Sequence, residues 1–335
     1  MRSVANMLEG IKTASIIFNP LAGGGHWRRH VHLDSARRVL AAAGIEADLR
    51  PTAAPGEAGQ IAARAVSEGS QMIIVCGGDG TLNEVVNGMA GSQVPVALLP
   101  AGTANVLAKE LGISWRIPKA AAMISTGIPV RVALGLMTPA GEAAKRRYFI
   151  CVAGAGADGA LVHALDPALK LKTGIISYWL EGFRQLFRYK FPKFRVVAHQ
   201  NSGETTVDGT LVVIGRTKHY GGPFRITTGA DFFSDEFELA IFTSQNALRY
   251  LTYLPATWTG ALRRQPDVHF VKTAAFRCES LEPGPVYAQL DGEPSVPLPV
   301  DFTIVPDALT LVVPGHHRAQ LATRLRKQNA LLSTT

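Results

Sequence analysis

The chain is poor in cysteine and in charge, and it has no long apolar run. Its three cysteines, Cys76, Cys151 and Cys278, lie far apart among 335 residues. They form neither a disulfide framework nor a Cys-x-x-Cys metal cluster, and a reducing, cytoplasmic setting is expected. Charged residues make up only 18% of the chain against 47% hydrophobic, and the 33 glycines and 20 prolines follow no period. That composition excludes a disordered or collagen-like chain. No apolar stretch approaches the ~20 residues of a membrane helix, and the start, MRSVANMLEGIKT, lacks the apolar core of a signal peptide. A Gly-x-Ser-x-Gly motif is missing too, which argues against a serine hydrolase.

What charge there is sits unevenly. The formal net charge is +8, and between Lys170 and Arg195 seven basic residues face one acidic residue, Glu181. The same segment holds seven of the 25 aromatic residues, among them Trp179, Phe183 and Phe187. Residues 174–190 read as a helix whose apolar stripe runs through Ile176, Trp179, Leu180, Phe183 and Phe187. The stripe suits either the protein's own core or a membrane surface. No nucleic-acid motif accompanies the charge, so nucleic acid is not expected as a partner.

The first third alternates strand and helix signals: ASIIF at 14–18, a helix over 28–43, IEADLR at 45–50, a helix over 56–68, an apolar strand at 72–75, a helix over 82–89 and VPVALLP. This order predicts a parallel sheet with helices on both faces. Beyond about residue 130 short β-rich runs dominate, at 194–199, 210–215, 237–243, 268–277, 285–290, 300–305 and 309–313, with one further helix over 245–262. That texture predicts an antiparallel sandwich or barrel. The expected division is an α/β domain over 12–133 and a β-rich domain over 134–304, with a segment of about 305–325 as a candidate to return to the first.

Chemistry concentrates in Gly77-Gly78-Asp79-Gly80-Thr81-Leu82-Asn83-Glu84, between an apolar strand and a helix. Glycines there let backbone N–H groups approach phosphate oxygens, and the helix N-terminus adds donors and a favourable dipole. Asp79 fits such an anion site once a divalent cation bridges carboxylate and phosphate. The blander alternative is a tight turn with an Asp cap. Two further Gly loops, NPLAGGG at 19–25 and PAGTAN at 100–105, follow neighbouring strands, and Thr52 follows another. In an open α/β sheet these strand ends converge on the ligand site.

Together NPLAGGG, GGDGTLNEVVNG (77–88), PAGTANVLAKELGI (100–113), GAGADGALV (154–162), YGGPFRIT (220–227) and LDGEP (290–294) resemble the lipid kinases that carry a diacylglycerol kinase catalytic domain, relatives of sphingosine and ceramide kinases. The resemblance implies a nucleotide-binding α/β domain like that of NAD kinases and diacylglycerol kinases, plus an antiparallel β-rich sandwich. ATP and Mg²⁺ would lie between the two. Position by position, Asn19, Thr52, Gly77, Gly78, Asp79, Gly80, Thr81, Leu82, Asn83 and Thr103 would contact ATP, with Asp79 near the metal. Asp158 and Lys172 would serve the lipid acceptor. Asp291 would be the general base, and Glu293 a metal or nucleotide ligand or the alternative base. By itself Asp291-Gly292 reads as a hairpin turn.

The expected reaction is phosphorylation of a lipid hydroxyl at a membrane surface, first of all that of diacylglycerol. Sphingoid bases, ceramide and phosphatidylglycerol are alternative acceptors, and a non-catalytic nucleotide- and lipid-binding role is an alternative of another class. Pairing of two copies is left open. In one place the chain departs from the family pattern: where relatives hold a structural Mg²⁺ on an acidic loop, it reads Ser234-Asp235-Glu236-Phe237-Glu238. Asp235 and Glu238 are the remaining candidate ligands.

Overall fold

The computed structural model describes residues 10–20, 26–164, 188–200, 203–221 and 224–323. The candidate interfacial helix, apart from its last residues from Arg188, lies outside the described residues, as does Lys172.

The first part is a parallel sheet of β1 (Thr13–Phe18), β2 (Glu46–Pro51), β3 (Ile73–Gly77) and β4 (Val96–Pro100), in the order β2-β1-β3-β4. Strands β3 and β4 are buried at every residue, as expected of parallel strands covered on both faces. The covering helices are α1 (His26–Ala42), α2 (Ala58–Ser67), α3 (Asp79–Met89), α4 (Val106–Glu110) and α5 (Ile117–Ser125). Helices α2 and α3 cross on glycine. A Cβ at Gly88 would sit 2.3 Å from the Gly59 carbonyl oxygen, and one at Gly59 2.5 Å from that of Glu84. Only glycine permits that approach.

The chain continues through β5 (Ile128–Pro139), β6 (Arg147–Phe149), β7 (Val152–Gly156), α6 (Ala157–Ala164), β8 (Phe194–Gln200), β9 (Gly203–Gly209), β10 (Leu211–Gly215), β11 (His219–Tyr220), β12 (Phe224–Arg225) and β13 (Phe237–Phe242). Then follow α7 (Ala247–Thr259), β14 (Val268–Thr273), β15 (Ala275–Ser280), β16 (Tyr287–Leu290), β17 (Glu293–Pro297) and β18 (Val300–Val313). Six of these strands form an antiparallel sheet, β14-β13-β10-β7-β16-β17. Facing it is an extension of the first sheet, β4-β18-β15-β8-β9, so the sandwich takes one of its layers from the α/β sheet.

Strand β18 makes this junction. It pairs with β5 along almost its whole length, and Leu311 sits beside Val96 of β4. The two runs expected at 300–305 and 309–313 are one strand, interrupted by a register shift between Val305 and Leu309 where Asp307 takes a left-handed φ of 49°. The run expected at 268–277 is two strands, β14 and β15, parted at Ala274.

Side chains alternate across the six-stranded sheet with the period of two that a strand imposes. Phe237, Leu239 and Ile241 point into the sandwich core with Phe149, Phe276 and Phe302, while Ala240 and Phe242 point to the other face with Tyr253 and Ala256 of α7. Each fully buried large side chain contributes about 1.5–3 kcal/mol. No helix among the described residues is long and apolar enough to cross a membrane.

Candidate functional site

Strands β2, β1, β3 and β4 end side by side at Pro51, Phe18, Gly77 and Pro100. Thr52, nearly buried, donates its N–H to the Phe18 carbonyl at 2.9 Å, which sets it beside Asn19. Gly78 caps α3, and the helix begins at Asp79 rather than at residue 82. The two central Gly loops touch through their backbones: a Cβ on Gly102 would lie 2.3 Å from Gly78 Cα. Asn105, in a left-handed conformation (φ 43°), closes the 102–105 loop by exchanging hydrogen bonds with Gly102. Thr103 stands exposed at its tip.

Asp79 ties the loops together. Its Oδ1 accepts from the Val106 N–H at 2.8 Å, so it caps α4 rather than its own helix. Burial, with the charge of Asp291 adding to it, pushes the carboxyl up to about 6 against the backbone donors. Leu82 turns its side chain into the core and gives its N–H to Gly78, so it offers nothing to a ligand. Glu84 is structural as well, accepting from the Gly56 and Ala58 N–H groups at the start of α2.

Asp291 and Gly292 form the two-residue turn between β16 and β17, both with positive φ (50° and 81°). This is the Asp-Gly type I′ geometry, so the turn and the candidate site are one feature. The Asp291 carboxylate folds back onto the strand entering β7. Oδ1 accepts from the Cys151 and Val152 N–H groups, each at 2.9 Å, and Oδ2 from Ile150 N–H and Asn83 Nδ2, each at 2.8 Å. Burial pushes this carboxyl up while the four donors pull it down. Four donors occupy about four lone-pair sites, which leaves no lone pair for a substrate proton in this geometry.

Asn83 is committed in the same way. Its amide donates to Asp291 and the Tyr148 carbonyl and accepts from Asn87 and Arg147. It locks the two layers of the cleft together, and its amide is not open to ATP as expected from the motif.

Glu293 is the open carboxylate. It opens β17, and a Cβ at Gly80 would come within 2.9 Å of its Oε1, so it faces the first turn of α3. Its side-chain partner among the described residues is Arg147, at 3.4 Å and half-exposed. Arg147 lies outside every motif that the sequence offered.

Asp158, in the first turn of α6, is buried. One oxygen takes a hydrogen bond from the Tyr220 hydroxyl, and the other accepts from Gln289 Nε2 at 2.7 Å. Gln289 in turn accepts from the Gly292 N–H at 2.8 Å, so Asp158 is wired to the Asp291 turn. Burial raises its carboxyl to about 6. Tyr220 lies on β11, whose His219 pairs with Glu110 at the end of α4 at 2.7 Å. The acceptor-side hairpin is thereby fastened to the helix that Asp79 caps.

The candidate structural metal ligands are engaged within the protein. Glu238 is buried, but Arg263 already pairs with it, and its other oxygen accepts from the Gly229 N–H at 2.6 Å. The Arg263 guanidinium also donates to Thr228 and lies 4.3 Å over the Phe270 ring. A Cβ at Gly229 would fall 2.5 Å from both charged groups. Asp235 is exposed on the preceding turn. Two of the Glu238 lone pairs thus serve a guanidinium and a backbone N–H, and among the described residues no group of three or more His, Cys, Asp or Glu gathers to hold a metal ion, so the structure lends Asp235 and Glu238 no support as metal ligands.

An α/β sheet with Gly loops at its strand ends, joined to an antiparallel sandwich across a carboxylate-lined cleft, defines a two-domain architecture that comparison with known proteins recognises. The diacylglycerol kinase catalytic domain matches residues 13–137, and the YegS C-terminal NAD kinase beta sandwich-like domain matches residues 151–313. The chain belongs to the diacylglycerol kinase catalytic-domain family.

It is 29% identical over 309 residues to a diacylglycerol kinase of Mycobacterium tuberculosis, covering 91% of this chain and 96% of that one. With a diacylglycerol kinase of Bacillus subtilis it is 28% identical over 323 residues, covering 93% and 99%. A crystal structure of a diacylglycerol kinase from Bacillus anthracis superposes with a TM-score of 0.72 at 23% identity, covering 92% and 99%, and shares the fold.

Proposed function

We propose that this protein is an ATP-dependent kinase of a lipid hydroxyl, with diacylglycerol as first candidate acceptor and phosphatidic acid and ADP as products. The observation that carries the reading is the meeting of Glu293, from the sandwich, with the Gly80 turn of α3, from the α/β sheet. A phosphate held by the N–H groups of that turn would have its terminal group beside a carboxylate from the other layer. Asn19, Thr52, Gly77 to Thr81 and Thr103 border the nucleotide side.

Mg²⁺ is held in such sites by one or two carboxylates together with substrate phosphates, and Asp79 and Glu293 on facing sides of the cleft fit that donor set. When bound, the ion would neutralise charge on the transferring group. The acceptor oxygen bonds to the γ-phosphorus as the bond to the β-phosphate oxygen breaks. The hydroxyl proton passes to a carboxylate oxygen. Of the two carboxylates the resemblance offers as base, Glu293 has lone pairs to accept it. Asp291 becomes a base only by giving up an N–H bond, and in our reading it positions Asn83 and the 150–152 strand instead. Asp158, through Tyr220 and Gln289, would set the acceptor side.

A lipid acceptor is favoured by helix α7. It exposes Leu248, Leu254 and Trp258, and Trp258 stacks on Phe224 of the hairpin that carries Tyr220. The test is ADP release from Mg-ATP with diacylglycerol, monoacylglycerol, phosphatidylglycerol, sphingosine and ceramide in mixed micelles, and with NAD without lipid. Lipid-dependent release, lost in Asp79→Ala, is the expected result and names the acceptor. ATP binding without release on any lipid would leave a binding protein and overturn the proposal.

A further inference from the structure

Resting on the reading that this cleft binds ATP, we propose that Arg147 is the cation that receives the γ-phosphoryl group. The cleft is lined with carboxylates from Asp79, Asp291 and Glu293. Phosphoryl transfer needs positive charge on the equatorial oxygens of the moving group. Among the described residues no lysine or arginine other than Arg147 bonds to any of those carboxylates or to Asn83.

The backbone of Arg147 is fixed and its head is not. Tyr148 N–H donates to Asn87 Oδ1 at 2.8 Å, and the Tyr148 carbonyl accepts from both Asn83 and Asn87. These bonds bolt β6 to α3, the helix whose first turn is the phosphate-binding candidate. Phe149, the next residue, is fully buried in the sandwich core. The guanidinium, by contrast, is held through Nη2 alone, 3.2 Å from Asn83 Oδ1 and 3.4 Å from Glu293 Oε2. Both contacts are longer than the ~2.7–2.9 Å of a firm charge-assisted bond. Nε and Nη1 have no partner among the described residues, and about a third of the side chain is exposed.

A rigid base with a loosely held fork is the form of a phosphate receiver. Guanidinium offers two parallel N–H bonds to two phosphate oxygens and stays protonated throughout. In the absence of nucleotide it neutralises Glu293. As it moves to the terminal phosphate it releases Glu293 to accept the hydroxyl proton. ADP, which lacks that phosphate, gains nothing from Arg147.

Binding of ADP and of the non-hydrolysable analogue AMP-PNP, each with Mg²⁺, is measured calorimetrically for wild type, Arg147→Ala, Arg147→Lys and the neighbouring control Arg146→Ala. Thermal melts confirm that each variant folds. Arg147→Ala is expected to weaken AMP-PNP about tenfold or more while changing ADP little, and to lower turnover on lipid further. Arg147→Lys should recover part of each loss, and millimolar guanidinium should partly restore Arg147→Ala turnover. Arg146→Ala should match wild type throughout. Equal changes for both nucleotides, or Arg147→Ala turnover within about twofold of wild type, would overturn the proposal while leaving the kinase reading standing. Failure of wild type to bind either nucleotide would overturn both.

Discussion

Replacing Asp291 by asparagine tests whether this residue is a base or a clamp. Four N–H donors and no acceptor face its carboxylate. In either flip, the asparagine amide turns an NH₂ group toward two of those donors, losing two bonds to a charged acceptor and setting donor against donor. At about 1.5–3 kcal/mol for each such bond, the loss is about 3 kcal/mol or more. With an unfolding entropy of roughly 2.1 cal/mol/K per residue, that corresponds to about 4 °C or more in the melting temperature. Glu293→Gln is the matched opposite: the side chain is half-exposed with one long contact, so its stability should stay within about 0.5 kcal/mol, while turnover falls about a hundredfold. Thermal melts at pH 7.5 read the first quantity and ADP release the second. Should Asp291→Asn melt like wild type yet lose turnover, while Glu293→Gln turns over normally, Asp291 would be the base and this reasoning would fail.

Arg263→Ala strips the buried Glu238 of its counter-ion, and we expect a loss of about 3–5 kcal/mol. In wild type without nucleotide, melts in EDTA and in Mg²⁺ should coincide; a cation-dependent rise would put a metal in the sandwich after all. Asp158, held near 6 by burial against about 3.9 in an unfolded chain, binds its proton more tightly when folded. It therefore lowers stability as pH rises from about 4 through 6, by up to about 3 kcal/mol. Asp158→Asn keeps both hydrogen bonds, since the Tyr220 hydroxyl can accept as well as donate. Urea titrations from pH 4 to 8 should show a flatter profile for this variant than for wild type; an unchanged slope would remove Asp158 as its source.

Much of the architecture was readable because its signals are local. Apolar strands followed by Gly loops marked β1, β3 and β4, and short β-rich runs between Gly, Pro and Asp turns marked β8, β10 and β13. Local signals failed where one element carries a defect. Strand β18 bends at Asp307 and reads as two, and β14 and β15 are parted by a single residue, Ala274. They failed at the start of α3 as well, because Gly78 to Thr81 have poor helix propensity and helix there depends on packing against Gly102.

The site divides along the same line. Motif residues such as Gly77 to Gly80, Asp79, Asp158 and Glu293 were visible, but their partners were not. The Asn83 to Asp291 bond spans 208 positions, and Arg263 reaches Glu238 across 25. Nothing local tells a carboxylate saturated by backbone N–H groups from an open one. Asp291 and Glu293, two residues apart, differ because a type I′ turn folds one back onto the 150–152 strand and leaves the other facing α3.

The most direct measurement is transfer of label from [γ-³²P]ATP to lipid in diacylglycerol mixed micelles with Mg²⁺, with ADP counted in parallel. One labelled phosphatidic acid per ADP is expected in wild type, and loss of both in Asp79→Ala and Glu293→Ala while the proteins stay folded. ADP formed without labelled lipid, or labelling that survives in both variants, would contradict it.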